Sequence, residues 1–311
     1  MSKRRKGIWI AGCLCLSALA MWIGVAMSMK KEVANHSDLS LLQNELETYI
    51  HSCPADIGVC VIRNNQDTIK VNNHQAYPMN SVMKLYQAVA LMEYLQEQSI
   101  SLDSLIMIDA SELHPNTYSP LRDSIGTRNF SMSIAQLIEF SLRYSDNNAC
   151  DILFNHILGI GATARYIHNM GIKDFAICVD ENAMHQNPTL VMENWNYPSA
   201  AAELINMVFT ADLFSYRHQS FIQQTLHSCS TGENRLAKPL LGTKAVIGHK
   251  TGTGFNDEHN KPQGINDVGF VKLPNGEHYS IAVFVKSSQL DMDATEQMIA
   301  EISSIVFHSF Q

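Results

Sequence analysis

The sequence predicts a protein of the α/β class and of the α+β type. One antiparallel sheet is covered by terminal helices, and an all-helical lobe is inserted between its strands. Near the start, the β-rich runs Ile57–Ile62 and Thr68–Val71 flank a polar turn, which predicts a hairpin. In the last third, Asp267–Leu273 and Tyr279–Val285 flank the turn Pro274-Asn275-Gly276, which predicts a second hairpin. Most of the residues between the hairpins have helical patterns. We therefore expect the two hairpins to share one sheet.

Three helices are predicted in the first half of the chain. Residues 38–51 have amphipathic spacing, and Ser37 is a candidate N-cap. Residues 82–98 are apolar on nearly all sides, which predicts a buried helix. Ser133 and Gln136 have the spacing of a capping box, which predicts a helix through residue 144.

A fourth helix is predicted over Asn148–Leu158, and Gly159 and Gly161 are expected to end it. Residues 178–198 are polar and irregular, which predicts a long loop with a functional role. The remaining predicted elements are the helices Ala200–Phe209 and Tyr216–Leu226, the strand Ala245–Thr253, and a C-terminal helix that begins at Asp293 and runs to Phe310.

Composition excludes several classes of protein. The 311 residues are 46% hydrophobic and 17% charged, which is enough chain for one large domain or two smaller ones. The formal charge of −8 argues against a general nucleic-acid binder, which needs a basic face. We therefore expect a globular protein that acts on small molecules.

The first 35 residues are predicted to be separate from the body. Lys3 to Lys6 carry four positive charges, and Gly7–Met29 contains no charged residue. This pattern indicates either a cleaved signal peptide or an uncleaved membrane anchor. The leader is expected to engage the membrane or the export machinery, which puts the body in the periplasm. Beyond residue 32 the chain has 16 cationic and 29 anionic side chains, so the exported body is acidic.

Cysteine and histidine spacing argues against a metal site. The body has an odd number of widely spaced cysteines and no Cys-x-x-Cys pattern, and the 13 histidines include no His-Glu-x-x-His pair. No metal or organic cofactor is expected, and the sequence assigns no disulfide pairing. The cysteines of the body are Cys53, Cys60, Cys150, Cys178 and Cys229.

Three short motifs carry candidate chemistry. Ser81 and Lys84 lie one turn apart at the start of the buried helix, where a desolvated lysine can take a proton from the serine. Ser145-Asp146-Asn147 follows at a predicted helix junction, and Lys250-Thr251-Gly252-Thr253 lies on a predicted strand. Alone, these motifs also fit a helix cap, a polar turn and a strand end.

In this order, the three motifs resemble those of the superfamily of class A β-lactamases and penicillin-binding proteins. The resemblance covers about residues 38–311 and is greatest to class A serine β-lactamases, particularly the PER-type extended-spectrum branch. It implies a catalytic domain over 36–311. Within it, 36–78 and 237–311 would form the sheet lobe, and 79–236 the helical lobe.

The resemblance also implies roles for individual residues. Ser81 would attack the lactam carbonyl, with either Lys84 or Glu181 acting through water as the proton acceptor, and Ser145 would pass the proton on. Tyr118 would line the site, Asn147 would bind the substrate amide, and Lys250, Thr251, Gly252, Thr253 and Arg235 would bind the rest of the substrate. Arg235 would bind the substrate carboxylate, because Val268 stands where other members have an arginine.

The predicted loop contains the candidate for the deacylating step. Asp180, Glu181 and Glu193 are the acidic residues considered there, and Glu181 is favoured because the segment from Glu181 to His185 resembles the PER-type loop. His185 stands where most members have an asparagine that helps to hold the water.

The resemblance implies a monomeric enzyme that hydrolyses penicillins and cephalosporins and confers antibiotic resistance. The alternatives are a penicillin-binding protein or D,D-peptidase, and a non-hydrolytic β-lactam sensor. Both would form the acyl-serine and lose it slowly.

Overall fold

The computed structural model describes residues 38–126 and 128–311. The predicted leader, residues 1–35, lies outside this range. The chain divides into two compact units, Met1–Glu45 and Leu46–Gln311. Residues 38–52 are helical (α1), as the amphipathic pattern predicts, and the elements that follow lie in the second unit. Within the described residues, no helix is both long and apolar enough to cross a membrane.

One five-stranded antiparallel sheet forms the centre of the fold. Its order is β2-β1-β10-β9-β8, so the N-terminal hairpin pairs directly with the last strand. Ile57 is opposite Val285 in this central pair, and Val59 is opposite Val71 in the hairpin. The predicted sharing of one sheet by the two hairpins is therefore confirmed. The strands are β1 Asp56–Arg63, β2 Asp67–Val71, β8 Val246–Thr253, β9 Gly264–Lys272 and β10 His278–Lys286.

Helices pack against the sheet. Helix α8 (Pro198–Thr210) contacts β1, β9 and β10, and helix α10 (Met292–Ser309) contacts β9 and β10. Strand β9 is buried along nearly its whole length, as expected for a strand covered on both faces. Both helices lie where the apolar patterns predict them, within two residues at each end.

The helical part of the chain surrounds helix α2, Met83–Glu97. This helix is buried along most of its length, as predicted, and it contacts four other helices. Its first turn carries Lys84, whose side chain is fully buried. The surrounding helices are α4 Ile134–Arg143, α6 Ile160–Asn169, α8, and α9 Tyr216–His227.

Local capping explains where two of the helices begin. The capping box of Ser133 and Gln136 is present at the start of α4, as predicted. Helix α5 (Asn147–His156) begins at Asp146, whose side chain accepts a hydrogen bond from the amide of Ala149. Asp146 also accepts bonds from Ser119 and from the amide of Leu121, so it fixes helix α3 (Pro120–Ile125) as well.

Two predictions about the middle of the chain are wrong. Gly159 does not simply end a helix, because its extended backbone is the N-cap of α6, which contains Gly161. The segment 178–198 is not irregular throughout. Asp180 caps a short helix, α7 (Glu181–Gln186), and Asn187 caps a 3₁₀ helix over Pro188–Glu193.

Short strands that the sequence did not predict connect the remaining loops. Strand β7 pairs with both β3 and β6, which ties the segment before Ser81 to the segment that follows α7. Strands β4 and β5 form a separate pair. These strands are β3 Tyr77–Pro78, β4 Leu105–Ile108, β5 Phe130–Ser133, β6 Phe175–Ala176 and β7 Trp195–Asn196.

Candidate active site

Ser81 lies in a 3₁₀ turn, Asn80–Val82, that leads directly into α2. Strand β8 runs alongside this turn, and the approach depends on Gly252. A Cβ atom at Gly252 would lie 2.6 Å from the carbonyl oxygen of Met79, closer than real carbon atoms approach. The glycine of the third motif therefore lets the strand lie against the turn that carries the serine.

The ammonium group of Lys84 is surrounded by three acceptors. It donates to Ser81 Oγ at 2.7 Å and to Asn147 Oδ1 at 2.8 Å, and it also pairs with the Glu181 carboxylate. Lys84 is fully buried and Glu181 is nearly so. Three acceptors use all three protons of an ammonium group, so this geometry fits a charged lysine. The structure brings together these four residues, which come from three separate parts of the chain.

Glu181 is positioned by Asp151, a residue that the sequence analysis did not single out. The Asp151 carboxyl accepts hydrogen bonds from the amides of Glu181 and Asn182, both at 2.9 Å. Burial, followed by the nearby charge of Glu181, raises the pKa of Asp151 to about 8. The sequence feature that could have identified Asp151 is its position as an acidic residue within the apolar pattern of α5.

Ser145 and Lys250 form the second polar pair of the site. Lys250 Nζ donates to Ser145 Oγ at 2.8 Å and to the carbonyl oxygen of Thr251 at 2.7 Å. Burial, followed by the positive charge of Lys84, lowers the pKa of Lys250 to about 7. Ser145 has φ +59°, a left-handed backbone conformation that serine rarely adopts.

Asn147 is oriented by contacts at both ends of its amide. Its oxygen accepts from Lys84, and its nitrogen donates to Thr117 Oγ1 at 2.8 Å. Its backbone amide donates to the carbonyl oxygen of Tyr118, whose side chain is exposed beside the pocket. One hydrogen of the Asn147 amide nitrogen remains for a further acceptor.

Arg235 is buried. Its guanidinium donates to the carbonyl oxygens of Gly252 and Asn266, to Thr253 Oγ1 and to the Glu296 carboxylate. These bonds use four of its five N–H groups. Arg235 therefore ties together the ends of β8 and β9 and offers at most one N–H to a ligand.

The third motif makes two further contacts. Thr251 Oγ1 lies 2.6 Å from Thr231 Oγ1, in the segment that leads to Arg235. Val268 is buried and is directly opposite Lys250 in the sheet.

A pocket of about 270 Å³ opens above Ser81. Six of the predicted residues line it, and the other predicted residues are not in its lining. His185 lies across the pocket from Phe255, with 6.2 Å between ring centres, so α7 faces the loop 254–263 there. The predicted residues in the lining are Ser81, Tyr118, Asn147, Glu181, His185 and Thr253, and the others are Asn80, Asn116, Thr117, Met184, Val191, Gly254 and Phe255.

The described part of the chain contains neither a cluster of metal ligands nor a disulfide bond. Residues 38–126 and 128–311 contain no group of three or more His, Cys, Asp or Glu side chains arranged to hold a metal ion. The five cysteines of the body are free thiols.

Comparison with known proteins identifies the family. Residues 41–310 match the model of the β-lactamase enzyme family. A β-lactamase of Phocaeicola vulgatus is 37% identical over 90% of this chain and 88% of its own length. The extended-spectrum β-lactamase PER-1 of Pseudomonas aeruginosa is 30% identical, over 86% of each chain.

Solved structures agree with the sequence matches. A class A β-lactamase from Bacteroides cellulosilyticus superposes with a TM-score of 0.83 at 34% identity, over 88% of this chain and 98% of its own. The extended-spectrum β-lactamase TLA-1 gives a TM-score of 0.84 at 33% identity, over 87% and 98%. Sequence, fold and the geometry around Ser81 lead to the same conclusion: this chain belongs to the class A β-lactamase family.

Proposed function

We propose that this protein hydrolyses the lactam ring of penicillins and cephalosporins through an acyl-serine intermediate on Ser81. The observation that carries the proposal is the position of Lys84. Its ammonium group contacts both the hydroxyl of Ser81 and the carboxylate of Glu181, so it connects a nucleophile with a base.

Acylation begins when Ser81 Oγ attacks the lactam carbonyl carbon. An ammonium group has no lone pair, so Lys84 becomes a base only after it gives up one of its three protons, to Glu181 or to solvent. Neutral Lys84 then accepts the proton of Ser81. Alternatively, Glu181 takes the serine proton through a water. In the first route the proton of Ser81 ends on Lys84, and in the second it ends on Glu181.

Charge on the carbonyl oxygen develops beside the serine. The backbone N–H groups of Ser81 and Thr253, two residues that line the pocket, would donate to that oxygen. Removing one such donor typically costs the transition state on the order of 3 kcal/mol. The departing ring nitrogen takes its proton from Ser145, and Lys250, whose Nζ donates to that hydroxyl, gives Ser145 a proton in return. The proton removed from Ser81 then passes to Lys250 through water, which leaves Lys84 and Glu181 in their starting states before deacylation.

Substrate binding uses the pocket and strand β8 beside it. Thr253 lines the pocket, and Lys250 and Thr251 of the same strand supply a cation and a hydroxyl, which suits the carboxylate that penicillins and cephalosporins share. Arg235 supports that strand, with one N–H left for the carboxylate. Asn147 donates to the side-chain amide of the substrate, and Tyr118 lines the entrance.

Deacylation depends on Glu181. Its carboxylate lies 3.4 Å from Ser81 Oγ, close enough for a water between it and the acyl carbon to be activated. His185 lies on the same short helix and lines the pocket, so it is the candidate partner for that water.

We further propose that the protein is exported to the periplasm and acts as a monomer on small molecules, with no nucleic-acid partner. The uncharged run after four cationic residues supports export, either with cleavage of the leader or with the leader retained as an anchor. We also propose that the catalytic domain consists of a sheet lobe (36–78 and 237–311) and a helical lobe (79–236).

Loss of lactam absorbance tests the function. The purified protein should consume many equivalents of a penicillin, and Ser81→Ala should consume none. An enzyme that reacts once and then stops would instead be a penicillin-binding protein or a lactam sensor.

A further inference from the structure

A second cavity, of about 580 Å³, lies at the end of the sheet where β9 turns into β10. Residues from α8, α9 and the start of β8 complete its walls. Small-molecule sites in proteins typically have volumes of about 300–1,000 Å³, so this cavity is large enough for a ligand.

The cavity is separate from the catalytic pocket. Among the residues that the structure describes, none lines both. Val246 lines the cavity and Thr253 lines the pocket, and these residues are the two ends of β8. At ~3.3 Å per residue, the strand separates them by about 23 Å. A ligand in the cavity would therefore not occupy the place of a substrate.

Aromatic rings form one wall of the cavity. Phe209 and Phe270 are parallel, with 4.6 Å between ring centres and 3° between ring planes. His278 stacks on Phe270 at 5.3 Å, and His227 packs edge-on against Phe209 at 5.1 Å. Aromatic rings pack favourably in such stacked and edge-on arrangements. This wall therefore suits a ligand that is itself planar and aromatic.

The aromatic wall depends on Gly248 of β8. A Cβ atom at Gly248 would lie 2.6 Å from Cζ of Phe209 and 3.1 Å from Nδ1 of His227. Gly248 is directly opposite Phe270 in the sheet. His227 is fixed in place, because its Nδ1 donates to the carbonyl oxygen of Ile247 at 2.9 Å. The strand thus lacks a side chain at the position where these two rings approach its backbone.

The polar lining of the cavity is basic. Lys272, His227 and His278 line it, and none of its lining residues, all from the described part of the chain, is acidic. The body has 16 cationic and 29 anionic side chains, so its composition does not favour a basic lining. Glu277, next to His278, is paired with Arg63 at 2.7 Å. The cavity is therefore complementary to an anion.

His278 acts as an aromatic surface, and Lys272 supplies the charge. Burial lowers the pKa of His278, and the nearby charge of Lys272 lowers it further, although Glu277 opposes both effects. The imidazole is therefore neutral at pH 7. Lys272 is exposed, so its ammonium group can pair with an anion from solution.

We propose that this cavity is a second ligand site, which binds planar aromatic carboxylates. The ring of the ligand lies against the wall of Phe209, Phe270 and His278, and its carboxylate pairs with Lys272. A single lysine suits one carboxylate, whereas planar groups with several charged oxygens are matched better by arginine. The inference does not depend on lactam hydrolysis, because the catalytic pocket takes no part in it.

Titration with 2-naphthoate tests the site. Calorimetry on the full-length protein gives the Kd, and the chemical shifts of backbone amides locate the ligand. We expect a Kd of about 1 mM or tighter, which is ordinary for a ligand of this size. The amides of Lys272 and Gly276 should shift, and those of Tyr118 and Thr253 should not. Shifts confined to the catalytic pocket, or no shifts at concentrations well above that Kd, would overturn the proposal.

A neutral ligand tests the role of Lys272. Naphthalene-2-carboxamide has the shape of 2-naphthoate without its charge. The wild type should bind the carboxylate about two- to fivefold more tightly than the amide, the range for a partly exposed ion pair. Lys272→Gln should lose this preference. Lys173→Gln, which changes an exposed lysine outside the cavity, should keep it. An unchanged preference in Lys272→Gln would refute the assignment of the carboxylate to Lys272.

A matched pair of substitutions tests the location independently. Val246 lines the cavity and is 50% exposed, so the fold should tolerate both Val246→Glu and Val246→Gln. The two new side chains have nearly the same shape, and only glutamate repels a carboxylate. Val246→Glu should therefore weaken binding of 2-naphthoate severalfold relative to Val246→Gln. Equal affinities would show that the ligand binds elsewhere.

The saturated analogue decahydro-2-naphthoate tests the aromatic wall. It keeps the carboxylate but has no flat ring to stack, so the wild type should bind it more weakly than 2-naphthoate. Equal affinity for the two acids would contradict recognition of a planar ring by Phe209, Phe270 and His278.

Discussion

Lys250 donates a hydrogen bond of 2.8 Å from its Nζ atom to the hydroxyl of Ser145, and the lysine is completely buried. The bond crosses between the last third of the sequence and the junction of two helices. It places a cation of lowered pKa behind the hydroxyl that we propose as the proton donor to the leaving nitrogen. The charge state of Lys250 should therefore control both substrate attraction and proton transfer.

The pH dependence of kcat/KM should report this lysine. Its pKa of about 7 means that the free enzyme loses the Lys250 charge as pH rises through 7. We expect kcat/KM for a penicillin to fall above that pH, mainly through a rise in KM. Lys250→Arg keeps its charge at every accessible pH, so its profile should lack this fall. The same alkaline limb in both proteins would mean that another group titrates.

Lys250 also affects stability in a defined direction. Its folded pKa is below its unfolded value of about 10.4, so the unfolded chain binds more protons between pH 7 and 10. Below pH 7 the full cost of burying the charge is present, and this cost is relieved as pH rises above 7. Compared with Lys250→Met, the wild type should therefore gain stability between pH 7 and 9, as measured by Tm.

Glu181→Gln should separate the two chemical steps. The amide cannot take a proton from water, so we expect the variant to acylate and then to hold the acyl group on Ser81. Turnover should fall by at least about a hundredfold, the usual range for loss of a general base. Intact mass should show the adduct within seconds and for hours afterwards. Glu193→Gln is the matched control from the same segment, and its turnover should not change. Normal turnover in Glu181→Gln would assign deacylation to another group.

Asp151→Asn should change how stability depends on pH. The folded pKa of about 8 exceeds the unfolded value, so the folded protein binds the extra proton between about pH 4 and pH 8. The contribution of Asp151 to stability is thus greatest at low pH and is lost as pH rises through 8. The Tm of the asparagine variant relative to wild type should therefore rise from pH 5 to pH 9. A difference in Tm that does not vary with pH would show that Asp151 is an ordinary ionised carboxylate.

Arg235→Ala should destabilise the protein as well as weaken binding. Removing the guanidinium leaves Glu296 and two strand carbonyl groups without their donor, and breaking a buried pair costs about 3 kcal/mol or more. We expect a large drop in Tm with a raised KM. Arg217→Ala, which removes an exposed arginine of α9 that pairs with Asp103, is the comparison for a general effect of losing an arginine. An unchanged Tm would mean that Arg235 serves the ligand alone.

The parts of the fold with local patterns were predictable. The two hairpins, the buried helix α2 and the capping box at Ser133 each lie in a short stretch whose spacing determines the element. Helix α6 was not predicted, because Gly159 was interpreted only as a stop signal. Its extended backbone also serves as the N-cap of the next helix, and a glycine alone does not distinguish the two roles.

The candidate site was also predictable only in part. The three motifs predicted which residues to consider, and the structure places Ser81, Lys84 and Glu181 in contact. The supporting residues were not predictable from spacing. Asp151 holds α7 from 30 residues away, and the four bonds of Arg235 reach three different elements. Such roles come from tertiary packing, which no short window of sequence contains.

Time-resolved intact-protein mass spectrometry, with lactam absorbance recorded in parallel, tests the central claim most directly. The protein is mixed with one penicillin and one cephalosporin and followed from seconds to hours. The proposed hydrolysis predicts rapid loss of absorbance and a transient adduct on Ser81, absent from Ser81→Ala. An adduct on Ser81 that persists for hours with little loss of absorbance would contradict it and would identify a penicillin-binding protein or a sensor.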